Sequence, residues 1–154
     1  MLRSSGFGGV FSGATSAAAV MVNADTIFTI TGGPIEILGL QSVCVTANNT
    51  TASTLQYQSV PTLGDAATFS GASASLALAG TGVGATVTLN PTALSTAPDI
   101  VAGTSGGLSL GANVANRIIV QPGTIKIVIG VGSTTGTWRH HIAYVPLGAG
   151  VTVA

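Results

Sequence analysis

Thr124-Ile-Lys-Ile-Val-Ile-Gly-Val131 decides the fold. In an extended chain Ile125, Ile127, Ile129 and Val131 fall on one side and Thr124, Lys126, Val128 and Gly130 on the other, the period-2 pattern of a strand with one buried face. So strong an apolar face predicts a central strand. The preceding Gln121-Pro-Gly-Thr124 has Pro then Gly in the order of a type II turn, because Pro fixes φ and Gly accepts positive φ. That turn joins the strand to residues 117–120. Downstream, residues 137–147 alternate again: Trp138, His140, Ile142 and Tyr144 share one side, Arg139, His141, Ala143 and Val145 the other, and Pro146 ends or edges the strand.

Upstream, residues 26–31 form a short β run stopped by Gly32-Gly33-Pro34. Residues 35–46 follow, with Ile35 and Ile37 on an apolar face, Glu36, Leu38 and Leu40 opposite, and Gly39 predicting a bend or bulge. After the turn cluster Asn48-Asn49-Thr50-Thr51, residues 54–60 set Leu55 and Tyr57 against Thr54, Gln56 and Gln58, so one face is wet. Weaker runs occupy 68–70, 75–79 and 85–89; Asn90-Pro91, Ala97-Pro98-Asp99 and the Gly-rich stretch 103–107 punctuate the rest. No window has a helical period, and no repeat recurs at a fixed interval. Eight to ten short antiparallel strands in one 154-residue chain predict an all-β fold: a single jelly-roll-like β-sandwich over residues 25–154. Residues 1–24, rich in Gly, Ser and Ala with glycines at 6, 8, 9 and 13, are expected to be a flexible N-terminal arm that orders on a neighbouring subunit.

Composition narrows the function. Charged residues make up 5% of the chain, against roughly 25% in an ordinary soluble domain. Mean hydropathy is +0.64, yet the longest apolar stretch, residues 17–22, is far short of the roughly 18 residues of a spanning helix, so no membrane partner is expected. Disorder is disfavoured by zero net charge with 46% hydrophobic residues. The cations Arg3, Arg117, Lys126 and Arg139 are too few for a phosphate-tracking surface, which argues against nucleic acid. Arg3 and the apolar patch 17–22 superficially resemble a secretory leader, but Ser and Gly interrupt its core and no cleavage is expected. Cys44, the single cysteine, lies in the apolar run Val43-Cys-Val45 and reads as a small core residue. An exterior of hydroxyls and small side chains lacks the repulsion that keeps monomers apart, which points to burial in an assembly.

The pool of chemical groups is shallow. Asp25, Glu36, Asp65 and Asp99 are the carboxylates, with no spacing that pairs them for glycoside chemistry. His140 and His141 are adjacent in a strand and so point to opposite faces, which prevents joint chelation of one metal ion. A nucleophile elbow needs Gly-x-Ser-x-Gly on a strand-to-helix turn, and no such turn is expected. Gly80-Thr-Gly-Val-Gly84 lacks the Lys and helix of a phosphate loop and reads as a turn. Asn48 and Asn49 begin Asn-x-Ser/Thr sequons. No catalytic residue, metal or cofactor is expected.

The block Thr26-Ile-Phe-Thr-Ile-Thr-Gly-Gly-Pro-Ile-Glu-Ile-Leu-Gly-Leu40, the entry Pro122-Gly-Thr-Ile-Lys126 and the closing stretch from Thr137-Trp138 to Tyr144-Val-Pro-Leu147 resemble small β-rich virion proteins of tailed bacteriophages, among them capsid decoration, or cement, proteins. The resemblance spans about residues 25–150. It implies a jelly-roll-like subunit that trimerises at local threefold positions of an icosahedral shell and clamps adjacent copies of the major capsid protein on the virion surface. On that reading Trp138, His140 and Tyr144 are the candidate trimer contacts, and an arm carrying Arg3, Phe7 and Phe11 reaches the capsid protein. Two other readings stay open: a tail-tube, baseplate or fibre component, and a carbohydrate-binding adhesion module using exposed aromatics with Gln56 and Gln58.

Overall fold

The computed structural model describes residues 11–49, 51–76, 82–90, 97–101, 117–130 and 135–154. Twelve strands and no helix are found among them, in two antiparallel sheets packed face to face as a β-sandwich. The larger sheet contains β1 (Ser12–Thr15), β2 (Ala19–Val20), β4 (Ile35–Cys44), β7 (Thr86–Thr88), β8 (Asp99–Val101), β9 (Ile118–Val120) and β11 (Thr137–Pro146). The smaller contains β3 (Thr26–Thr31), β5 (Thr54–Pro61), β6 (Ala67–Thr68), β10 (Gly123–Gly130) and β12 (Thr152–Val153), in the order β12-β3-β10-β5-β6. Both rims of this sheet are therefore strands of two residues.

β10 is central, as its sequence predicts, paired with β5 from Gly123↔Pro61 to Gly130↔Thr54 and with β3 on its other flank. Ile125, Ile127 and Ile129 turn inward against Trp138, Ile142, Ile37 and Leu40 of the opposite sheet, all buried. Entry to β10 differs from expectation. β9 pairs with β4 in one sheet and β10 lies in the other, so Gln121-Pro122 carries the chain across a corner. Gly123 has φ +149°, and a Cβ there would meet Val60 O at 2.3 Å, so the corner admits only glycine.

The bulge predicted at Gly39 is present. Ala143 pairs with Gly39 but Tyr144 with Ile37, so Leu38 is the extra residue. One inserted residue flips the strand's faces: Ile35 and Ile37 point inward before it, Leu40, Ser42 and Cys44 after it, and Leu38 is left exposed. Leu40 therefore joins the core rather than the face of Glu36.

The arm boundary at residue 24 moves. β1 and β2 lie along the free flank of β11, running from Ser12↔Tyr144 to Val20↔Thr137, so residues 12–20 extend the larger sheet. The ladder is main chain, which a Gly/Ser/Ala sequence supplies as well as any other. Arg3 and Phe7 lie outside the described residues; Phe11 is exposed just before β1.

Candidate functional site

The inward face of β11 brings His140 between the sheets, where it is 5% exposed. Its Nδ1 lies 2.7 Å from Ser42 Oγ on β4, which lies 2.9 Å from Tyr57 Oη on β5, and Tyr57 donates to the carbonyl of Val87 at 3.1 Å. With the Tyr57 hydroxyl proton committed to Val87, Ser42 donates to Tyr57, and His140 must hold its proton on Nδ1 to donate to Ser42. The chain fixes a neutral tautomer. Burial, with help from the neighbouring His141, pushes the His140 pKa down to about 4, opposed by the carboxylate of Asp25. Burial also raises the Tyr57 phenol above its ordinary value.

The chain of hydroxyls stitches the two sheets together. Phe69 stacks on the Tyr57 ring at 6.2 Å between centroids, and residues beyond β6 continue along β5 through serine hydroxyls: Ser70 Oγ accepts from Tyr57 N and Ser73 Oγ from Leu55 N, both at 2.9 Å. Replacing Tyr57 with phenylalanine leaves Ser42 and the Val87 carbonyl without that hydroxyl. We expect a loss of about 1–3 kcal/mol, read as a lower urea midpoint with an unchanged slope.

A cavity of about 230 Å³ lies beside His140, lined by Ser16, Met21, Asp25, Ile27 and Ile127 among others. Ser42 is fully buried, so the Ser-His contact presents no nucleophile to a substrate. On the outward face His141 Nδ1 meets Thr15 Oγ1 at 3.0 Å, so the two histidines do face opposite ways. Glu36, 7% exposed, is paired in fork geometry with the Arg117 guanidinium. Among the described residues no three His, Cys, Asp or Glu side chains gather as a metal site. No family model, curated protein or solved structure matches the chain.

The side chains expected as trimer contacts lie in the core instead: Trp138 is 0% exposed, and Tyr144 and His140 are 5% exposed, all pointing between the sheets and not onto the surface. Cys44 is a buried core thiol whose Sγ donates to Thr46 O, and burial raises its pKa. Asn48 accepts from the Thr135 and Gly136 amides and its Nδ2 is buried, so the first sequon is a loop clamp closed to glycan transfer in the folded chain. The string Gly-x-Ser-x-Gly occurs at 103–107 and 107–111, both outside the described residues. Sequence reading missed the His140-Ser42-Tyr57 chain: each member lies on an inward phase, but the bulge hides that of Ser42.

Proposed function

We propose that the chain is a structural virion subunit, a jelly-roll-like capsid decoration protein that oligomerises, most simply as a trimer, and binds the major capsid protein of a tailed phage. The observation that supports this reading is the exterior. Among the described residues the exposed charged side chains are Asp25, Asp65, Arg117 and Arg139, while Leu63, Val83, Val22 and Ile119 are more than half exposed. Such a surface carries little charge repulsion and is suited to contact with neighbours. With Trp138, His140 and Tyr144 committed to the core, the contacts fall to outward side chains such as Leu38, Ile119 and Arg139 of the larger sheet. Each contact is modest; several per oligomer, repeated over a shell, multiply into firm attachment.

The carbohydrate reading needs aromatic faces open to a sugar, and Tyr57, Tyr144 and Trp138 are all buried. A tail or fibre location uses the same surface, so particles separate the two. Sedimentation of the purified chain over a wide concentration range should show an oligomer, and immunogold labelling of phage particles carrying it should mark the heads. Label confined to tails would overturn the decoration reading in favour of the tail component. A monomer at every concentration with no labelled particle would overturn both.

A further inference from the structure

We propose that residues 11–21 exchange between copies of this chain, each copy laying its β1–β2 segment along β11 of a neighbour.

The segment is bound almost wholly by main chain. β1 runs from Ser12↔Tyr144 to Thr15↔His141, and β2 resumes at Ala19↔Trp138 with the register moved by one residue. In the bulge between them Ser16 N donates to His140 O at 2.9 Å and Ser16 Oγ accepts from His140 N at 3.0 Å. Its side chains face solvent except Ala14, half-buried on the core, Ser16, half-buried with its Oγ on His140 N, and Met21, 2% exposed beneath the sandwich edge. A main-chain ladder plus one apolar plug is blind to which copy supplies it, so an exchanged strand reproduces every contact of the folded-back one.

The connection to β3 favours the exchange. Residues 22–25 turn tightly, with Val22 N donating to Asp25 Oδ2 at 3.0 Å and Asp25 N to Val22 O at 3.1 Å. Within the turn Ala24 has φ +69°, the one non-glycine residue with positive φ among the described residues. An alanine there is strained, and it is held by Ala24 N donating to Ile127 O at 2.9 Å and by the Asn23 carboxamide accepting from Ile129 N at 3.0 Å. Opening the turn at Val22 lets the strand reach outward and frees Ala24 to relax. Short, strained hinges are the recognised setting for strand exchange. The removed strand would leave the β11 flank bare from Thr137 to Tyr144, a ready acceptor for the same segment of the next copy. Exchange requires only copies of the chain, so it holds or fails independently of a viral shell.

The test is a cysteine pair at Thr15→Cys and His141→Cys, registered partners whose side chains already touch. The full chain is oxidised under native conditions and run on a non-reducing gel beside the two single variants. Exchange predicts covalent chains of two or more copies in the double variant and in an equimolar mixture of the singles co-refolded together, but not in either single variant alone. Links confined within single chains would overturn the proposal. So would equal linking in the single variants, and so would no link at all, because folded-back and exchanged strands both place residue 15 against 141. Ala24→Gly in the double variant relieves the turn without touching the strand, and should raise the within-chain share severalfold; an unchanged share would overturn the role given to the hinge.

Discussion

Truncating Trp138 to alanine is expected to lower the stability of the folded chain by about 3–5 kcal/mol, the cost of emptying a large core site. The indole is completely buried on β11, whose backbone is flanked there by Cys44 of β4 and Ala19 of β2. Marginal domains hold only about 5–15 kcal/mol in total, so the variant should be largely unfolded well below the wild-type urea midpoint. Its Nε1 has no hydrogen-bond partner among the described residues, so packing alone holds the ring. Trp138→Phe should therefore cost much less than Trp138→Ala. The comparison discriminates: an interface tryptophan would leave the subunit's own unfolding unchanged and weaken assembly instead.

Acid should weaken the fold by about 3 kcal/mol between roughly pH 6.5 and pH 4, through His140 alone. The folded imidazole titrates near 4 against an ordinary 6.5. Above pH 6.5 both folded and unfolded chains hold it neutral, and it contributes nothing to the pH dependence. As pH falls below 6.5 the unfolded chain takes up the proton first, while in the folded chain burial of the ring, helped by the neighbouring His141, keeps it neutral. Stability drops across that window and levels off below pH 4, where both states are charged. His140→Gln keeps a side-chain amide near Ser42 and has no proton to gain. Urea midpoints across the pH series should fall steeply for wild type and more gently for the variant, the difference isolating His140 from titrating carboxylates; parallel curves would show that the buried imidazole charges freely.

Much of the sandwich is written in side-chain alternation. Ile125, Ile127 and Ile129 mark their face, and Trp138, His140, Ile142 and Tyr144 theirs, because one side of each strand must leave water. Alternation fails where structure rests on the main chain. β1 and β2 consist of Ser, Gly, Ala, Thr and Val bound through amides and carbonyls, leaving no apolar pattern to read. It also fails across Leu38, where one extra residue inverts the phase and conceals Ser42 as a partner of His140. The aromatic residues misled for a related reason: in a chain so poor in large side chains, the core consumes Trp138 and Tyr144 before any contact surface can use them. The exterior itself has no motif, since hydroxyls and methyls mark neither a substrate nor a partner by spacing.

A sheet rim bristling with lysines is the common safeguard against endless edge-to-edge growth, and this chain has almost none to spare. β12 and β6, at two residues each, offer an incoming strand too few rungs to grip. In the smaller sheet, brevity thus stands in for electrostatics: neither rim gives a passing strand enough main-chain bonds to seed a fibril.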